Sequence, residues 1–382
     1  MADPYTLRIL ELDGGGERGY LPLNFLKWFV DLWGINFTEI YKEFDVICGT
    51  SIGGILAISL AQGGITFETL SNFFTEQGPW IFTTDSDTPS VKPSTFDKLQ
   101  DIVIANTPFY ETSDDSYGSA LLYKTIRDVA GDVKIKDLNT NVIIPSYRLD
   151  TNNFVLFSNI KREQFIGHDA LASDVALSTS AAPFYLPYYT WQDGHTYIDG
   201  GLYQNNPAIF GRNLAQIIKP TARRACILSL GTGLGTMGFY DDGSADSLPT
   251  GEIKKYGRKP FFETYKRYTG QFYKPQGKLN LNSLSIAADD LPSLKSMLLN
   301  NTLFSIASTG AQESIATSLL VESKYTINQL YYYRFQPILD PSVDTELDNT
   351  KAETLQYYVD TAKAWYDNDI DNIINFLGHL TA

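Results

Sequence analysis

Histidine, cysteine and basic residues are scarce in this chain of 382 residues. It has three histidines and two cysteines, and 44 acidic residues outnumber 30 basic ones, for a formal net charge of −14. Because phosphates are bound by lysine and arginine, this balance argues against nucleic acid as a partner. The cysteines, Cys48 and Cys226, lie in apolar segments. This predicts buried free thiols and no disulfide framework or zinc site.

Uninterrupted apolar runs of about 20 residues are also missing, so we expect no membrane-spanning helix. The start of the chain, MADPYTLRILELDGGG, lacks the basic front of a secretion signal. We therefore expect a cytoplasmic protein, although this pattern does not address export by a non-classical route.

One segment departs from the acidic balance. Residues 251–278 hold eight basic residues and seven aromatics. Two interpretations stay open: peripheral contact with an anionic lipid surface, where rings lie at the headgroup level, or a solvated, partly packed segment.

Short apolar runs alternate with amphipathic patterns along the chain. The runs LRILELD, DVICG and ACILSLG predict buried strands, and YLPLNFLKWFVDLW and SIGGILAISLAQ predict helices. Asp193-Gly194 predicts a hairpin turn, and HDALASDVALSTSAAP predicts a helix over 168–183. YYYRFQP predicts a late strand, and Thr350 with Glu353 predicts a capped C-terminal helix. The alternation indicates an α/β fold with a mostly parallel sheet, and we expect one elaborated domain over 1–382.

A serine stands between glycines where the second predicted strand gives way to a helix. Gly49-Thr50-Ser51-Ile52-Gly53 matches the G-x-S-x-G nucleophile elbow. In that elbow a sharp turn forces the serine into a strained backbone conformation, and the glycines keep the chain from colliding with itself. The competing interpretation is a tight turn with a capping serine.

The glycine run Asp13-Gly14-Gly15-Gly16-Glu17-Arg18-Gly19 fits two hypotheses. As G-x-G-x-x-G after a strand it resembles a dinucleotide-binding fingerprint, but that fingerprint requires an acidic residue after the second strand, where this chain has the serine. The alternative is an oxyanion loop, which explains both motifs together. We favour it, with Gly15 and Gly16 as the main donors. Arg18 then holds the loop or meets a headgroup phosphate, unless it forms only a surface salt bridge.

None of the three histidines is a convincing base for the serine. His168 and His379 lie at predicted helix ends. His195 begins the strand HTYID, which ends in Asp199-Gly200-Gly201. At ~3.3 Å per residue, His195 and Asp199 are about 13 Å apart, so only one of them can contact Ser51. Burial can raise the pKa of a carboxyl from about 3.9, and we therefore predict Asp199 as the proton acceptor. For the motif Asp199-Gly200-Gly201 taken by itself, the alternative interpretation is an aspartate that caps a turn.

The ordered set DGGGERG, GTSIGG and DGG resembles the patatin-like phospholipase family, with support from STSAAPFYLP and CILSLGTG. The resemblance implies a three-layer α/β/α fold and cofactor-independent, calcium-independent hydrolysis of lipid acyl esters. It also implies a Ser51–Asp199 dyad with an oxyanion hole at Gly14, Gly15 and Gly16. Arg18, Gly19, Gly49, Gly53, Gly200 and Gly201 match the supporting motif positions. The motif-bearing core is about 7–233, and 234–382 holds a variable, lid-like segment and closing helices.

The sequence therefore predicts a phospholipase A or lysophospholipase type of acyl hydrolase. An acyltransferase or neutral-lipid esterase would use the same dyad, and a storage or interaction protein could keep the fold alone. A nucleotide-binding protein is the alternative from the glycine run. An activating ligand or protein is a further expectation from the resemblance, of unknown identity.

Overall fold

The computed structural model describes residues 4–81, 124–183, 185–186, 188–234, 302–325, 329–340 and 342–381. The basic and aromatic segment 251–278 and the lid-like segment expected within 235–300 lie outside these ranges.

The centre of the protein is a mixed, mostly parallel sheet. Its strands, in chain order, are β1 Thr6–Leu12, β2 Val46–Gly49, β3 Asn141–Arg148, β4 Asn153–Phe157, β5 Tyr189–Thr190, β6 Thr196–Asp199, β7 Arg224–Leu230 and β8 Gln329–Phe335. They are ordered β5-β6-β3-β2-β1-β7-β8, and β4 pairs with β3 off this path. Pairs among β3, β2, β1, β7 and β8 are parallel, whereas β4, β6 and β5 add antiparallel pairs.

Helices connect and cover these strands. They are α1 Tyr20–Trp33, α2 Ile52–Gln62, α3 Phe67–Asn72, α4 Gly78–Ile81, α5 124–130, α6 Ala172–Ser180, α7 Gly201–Gln204, α8 Ala208–Asn213, α9 Ala215–Ile218, α10 Thr302–Tyr325, α11 Ala352–Asn368 and α12 Ile370–Thr381. Short 3-10 helices run over Gly16–Gly19, Phe37–Lys42 and Ile135–Asp137, and a π-helix over Phe73–Gln77. In the described ranges no helix combines the length and apolar character needed to cross a bilayer.

Side chains of β1 alternate between two apolar cores, one on each face of the sheet. Leu10 and Leu12 join the larger core with α1, α2, α6, α11 and α12, whereas Leu7 and Ile9 join a second core with α8 and α10. This alternation is the period of two that a strand imposes. The predicted three-layer α/β/α architecture with a mostly parallel sheet is confirmed.

Two local predictions were wrong. The helix expected over 168–183 covers only Ala172–Ser180, because Ala170 closes a turn on the Gly167 carbonyl (2.9 Å) and Leu171 is extended. The C-terminal helix begins after Lys351, which caps it without a side-chain hydrogen bond. Thr350 and Glu353 therefore do not form a capping box, since Thr350 lies one residue too early to be the N-cap.

Candidate active site

Ser51 occupies a sharp turn between β2 and α2. Its backbone has φ 56° and ψ −126°, a region that costs non-glycine residues of the order of 1–3 kcal/mol. The flanking glycines permit the turn. A Cβ on Gly49 would lie 2.1 Å from the Gly53 carbonyl oxygen, and one on Gly53 would lie 2.2 Å from the Leu12 carbonyl oxygen. The strained serine and its two glycines thus form the predicted elbow.

A neighbouring helix holds the elbow in place. The Ser51 N–H donates to Thr179 Oγ1 (3.0 Å), and that hydroxyl donates to the Pro145 carbonyl (2.6 Å). On the other side, Thr50 Oγ1 donates to the Gln204 carbonyl (2.7 Å). Sequence reasoning missed Thr179, although it lies in the quoted segment STSAAPFYLP.

Asp199 ends β6 and is fully buried. Its Oδ1 accepts a hydrogen bond from the Gly201 N–H (2.6 Å), and its backbone N–H donates to the Ala181 carbonyl (2.9 Å). A Cβ on Gly200 would lie 2.4 Å from the Pro145 carbonyl oxygen. The first glycine of DGG therefore lets β6 approach β3, and the second provides a donor to the carboxylate.

The environment of Asp199 changes its proton affinity. Burial raises its pKa to about 7, while hydrogen bonds from Ser51 and from the Gly201 N–H act in the lowering direction. Asp199 Oδ2 is buried and lacks a well-formed hydrogen bond, so the contact with the Ser51 hydroxyl is longer or less well aligned than an ordinary one. Such contacts commonly tighten when substrate binds.

The glycine loop follows β1, the parallel neighbour of β2. The Gly14 carbonyl accepts hydrogen bonds from Thr232 Oγ1 (2.8 Å) and Asn205 Nδ2 (3.2 Å). The Gly15 carbonyl accepts from the Arg18 N–H (3.2 Å) and from Arg18 Nε (3.5 Å). In a planar trans peptide the N–H points away from the C=O. The N–H groups of Gly15 and Gly16 are thus turned away from these partners.

The three glycines of this loop differ in their N–H groups. The Gly14 N–H donates to the Asn205 carbonyl (3.3 Å), whereas those of Gly15 and Gly16 have no acceptor among the described residues. Gly16 has φ 55°, and a Cβ on Gly15 would lie 2.3 Å from Thr232 Oγ1. The geometry therefore favours Gly15 and Gly16 over Gly14 as donors to a ligand.

One cleft brings these groups together. It encloses about 700 Å³, part of it open to solvent, and its lining includes Ser51, Asp199, Gly15, Gly16 and Arg18. Much of the remaining wall is apolar and comes from Ile52, Ile55, Phe73, Ile81, Ala182, Leu186 and Leu347.

Arg18 contributes a positive charge to the cleft wall. It is half-buried and forms no ion pair with a described residue, so the surface salt bridge considered from the sequence is absent from this part of the chain. Gly19 allows the loop to pack on the elbow, since a Cβ there would lie 2.7 Å from Ile52 Cγ1.

The three histidines have partners elsewhere. His195 Nδ1 bonds Asp150 (2.9 Å) and its Nε2 bonds Arg148 (3.0 Å). His379 stacks on Tyr331 at 3.8 Å between ring centroids, and His168 lies 3.9 Å from the carboxylate of Asp169. None of the three is among the residues that line the cleft.

Across the described ranges no three His, Cys, Asp or Glu residues are grouped so as to hold a metal ion. Cys48 and Cys226 are buried free thiols, as predicted. β2 ends at Gly49 and leads directly to Ser51, so the acidic residue of a dinucleotide-binding fold is missing from its usual place.

The fold and the cleft are those of an α/β protein in which a serine elbow faces a glycine loop and a buried carboxyl group. A family model for the patatin-like phospholipase domain matches residues 10–210, more than half of the 382 residues. The chain belongs to the patatin-like phospholipase family.

Named relatives agree with this assignment. A cGAMP-activated phospholipase of Vibrio cholerae is 34% identical over 212 residues, which cover 54% of this chain and 56% of the relative. Patatin-like protein 2 of Arabidopsis thaliana is 32% identical over 254 residues, 59% of each chain. The chain thus spans somewhat more than half the length of these relatives. The structure of human GIVD cytosolic phospholipase A2 covers 99% of this chain and 61% of its own, at 12% identity and a TM-score of 0.43, which is too low to bear on the site.

Proposed function

We propose that this protein is a lipid acyl hydrolase in which Ser51 is the nucleophile and Asp199 the general base. The observation that carries the proposal is the convergence on one cleft of a strained serine, a buried carboxyl with a pKa of about 7 and two N–H groups that have no acceptor among the described residues. General acid–base catalysis is most efficient when the pKa of the base lies near the working pH.

The reaction follows from these positions. Ser51 Oγ attacks the ester carbonyl carbon while its proton passes to Asp199, and the carbonyl oxygen becomes an oxyanion. The N–H groups of Gly15 and Gly16 donate to that oxyanion. When the C–O bond to the leaving alcohol breaks, Asp199 returns the proton to the alcohol oxygen. Water then attacks the acyl-enzyme with Asp199 again as base, which releases the fatty acid and restores Ser51.

The wall of the cleft supports a lipid ester as the substrate class. Its isoleucine and phenylalanine side chains suit an acyl chain, and Arg18 is a cation available to a headgroup phosphate. This chemistry fits phospholipids cleaved in the manner of a phospholipase A or lysophospholipase, and no step of it requires calcium or another metal. We propose peripheral contact of a cytoplasmic protein with the membrane that holds this substrate.

Labelling and product analysis test the proposal. We expect a fluorophosphonate probe to label the wild type but not Ser51→Ala, and we expect Ser51→Ala and Asp199→Ala each to abolish release of fatty acid from phospholipid vesicles. His195→Ala is the matched control and should keep most of the activity, because His195 is engaged with Asp150 and Arg148. Equal loss in His195→Ala would contradict the two-residue site.

The same measurements separate the alternatives. Transfer of the acyl group to added alcohol or lysolipid would indicate an acyltransferase, and cleavage of neutral lipid alone would indicate an esterase. A wild type that is neither labelled nor active, with or without ligand, would indicate a storage or interaction protein. Because a matched relative is named a cGAMP-activated phospholipase, cyclic dinucleotides are the first activating ligands to add.

A further inference from the structure

A row of polar side chains crosses three neighbouring strands beneath the glycine loop. Glu11 of β1 pairs in register with Ser229 of β7, and Ser229 pairs with Arg334 of β8. Residues in register on adjacent strands lie on the same face of a sheet. Glu11 and Ser229 are fully buried, and the Arg334 side chain is 11% exposed.

Asp13, two residues after Glu11 on the same face, connects this row to the loop. Arg334 Nη1 donates to Asp13 Oδ1 (3.0 Å) and Nη2 to Asp13 Oδ2 (2.5 Å), which is a bidentate pair. Asn206 Nδ2 also donates to Asp13 Oδ1 (2.8 Å). Arg334 Nη1 further donates to Ser229 Oγ (2.9 Å), so the guanidinium is fixed from two sides.

Arg334 faces two further carboxyl groups, since Glu11 Oε2 lies 3.6 Å from Nη1 and Glu313 Oε1 lies 4.0 Å from Nη2. Burial, followed by the nearby Asp13, raises the pKa of Glu11 well above its ordinary range. Arg334 forms its closest ion pair with Asp13, and this pair is buried. Loss of one member of such a pair leaves an uncompensated buried charge on the other.

Asp13 is the last residue before the glycines whose N–H groups line the cleft. Its own N–H donates to the Leu230 carbonyl (3.0 Å), so backbone and side chain are both fixed at this point. A displacement of Asp13 would pass through Gly14 to the Gly14–Gly15 and Gly15–Gly16 peptide groups, which carry the two donors. Misplacement of a catalytic group by about 1 Å costs about 10²-fold in rate.

We propose that Arg334 is a positioning residue for the oxyanion donors, acting through Asp13 across the β1-β7-β8 row. The inference rests on the proposed function of the loop. Arg334 lies beyond residues 10–210, which the family model matches, so a strand from the C-terminal part of the chain completes the site.

The test compares Arg334→Lys with wild type. Lysine keeps the charge but loses the bidentate geometry. We expect kcat to fall about 10- to 100-fold with KM changed less than about threefold. Affinity for a lipid trifluoromethyl ketone, which forms a tetrahedral adduct with serine, should fall in parallel. Affinity for an ether-linked phospholipid, which forms no oxyanion, should stay within about threefold of wild type.

Arg212→Lys is the matched control. Arg212 Nη2 pairs with Glu322 of α10 (2.6 Å) and does not contact the glycine loop, so both affinities and kcat should be unchanged. If Arg334→Lys fails to fold, the double variant Asp13→Asn, Arg334→Gln removes both charges of the buried pair and should show the same selective loss.

The outcomes separate this inference from the function on which it rests. A wild type that fluorophosphonate does not label at Ser51 overturns both. A labelled wild type with unchanged kcat and ketone affinity in the folded Arg334 variant overturns the positioning role alone. Equal loss of ketone and ether-lipid affinity also overturns it, because a general structural defect does not distinguish the tetrahedral adduct from the ground state.

Discussion

The serine elbow and the glycine loop follow adjacent parallel strands, yet they are held in different ways. The elbow depends mainly on close backbone packing, since Gly49 lies on the Gly53 carbonyl and Gly53 lies on the Leu12 carbonyl. The loop depends on distant residues, because Thr232 and Asn205 fix the Gly14 carbonyl and Arg334 fixes Asp13. A turn that is set by close backbone contacts does not tolerate an added side chain. A turn set by remote hydrogen bonds can instead lose its orientation while the fold persists.

The largest effect on stability is expected at the elbow. In Gly53→Ala the new Cβ would lie 2.2 Å from the Leu12 carbonyl oxygen and 2.6 Å from that of Asp13. Both oxygens belong to the backbone, which cannot move away without distorting the end of β1. We expect a loss of about 3 kcal/mol or more in the free energy of unfolding, measured in urea. Gly378→Ala is the control, because its Cβ would meet nothing within 4 Å; it should be neutral or stabilising by up to about 1 kcal/mol.

In the loop, Gly15→Ala should damage activity more than stability. The atoms nearest to the new Cβ would all be side-chain atoms of Thr232, so the loop and Thr232 can move apart. We expect kcat to fall by about 10²–10³-fold, the effect of losing an oxyanion donor, with a smaller loss of stability than in Gly53→Ala. Equal unfolding of the two variants would show that both turns are held alike.

Asp199→Asn should lose activity and gain stability at neutral and higher pH. The wild-type pKa of about 7 predicts that kcat/KM rises with pH through about 7, as the carboxylate forms. The raised pKa also means that protonated Asp199 supports the fold at low pH, and this contribution is lost as pH rises from about 4 to about 7. Asparagine does not titrate, so above pH 7 the variant should be more stable by about 1–3 kcal/mol in urea titrations. An unchanged pH dependence of unfolding would contradict the buried acid.

The smallest effect is expected for Glu11→Gln. Burial raises the pKa of Glu11 well above its ordinary range, which favours the neutral form; glutamine is a neutral group of similar shape, and the Asp13–Arg334 pair remains. We expect kcat within about threefold of wild type and stability at pH 7 within about 1 kcal/mol. A fall in kcat as large as that of Arg334→Lys would show that Glu11 is charged and that it contributes to holding Arg334.

Much of the fold and the positions of the motifs could be predicted from the sequence. The runs that form β1, β2 and β7 are mostly apolar because both of their faces are buried. The C-terminal cap could not be predicted in the same way. Thr350 and Glu353 have the spacing of a capping box, but the helix begins one residue later than that pattern requires.

The partners of the site were less visible. Thr179 supports the Ser51 N–H from 128 residues away, and Thr232 fixes the Gly14 carbonyl from 218 residues away. No local sequence pattern indicates either contact, because a threonine is equally well suited to an exposed position on the protein surface. His195 is the opposite case: its position on the Asp199 strand already indicated that the two side chains serve different sites.

By itself the sequence determined the strand–turn–helix order, the alternation of layers and the places where only glycine fits, since these depend on backbone sterics and on the period of apolar residues. The tertiary structure alone decided that Asp199 lies against Ser51, that the Gly15 and Gly16 N–H groups have no acceptor in the described part of the chain and that Arg334 holds Asp13. Those facts depend on which distant side chains share a space closed to water. Exclusion of water is also what moves the proton affinities of Glu11 and Asp199.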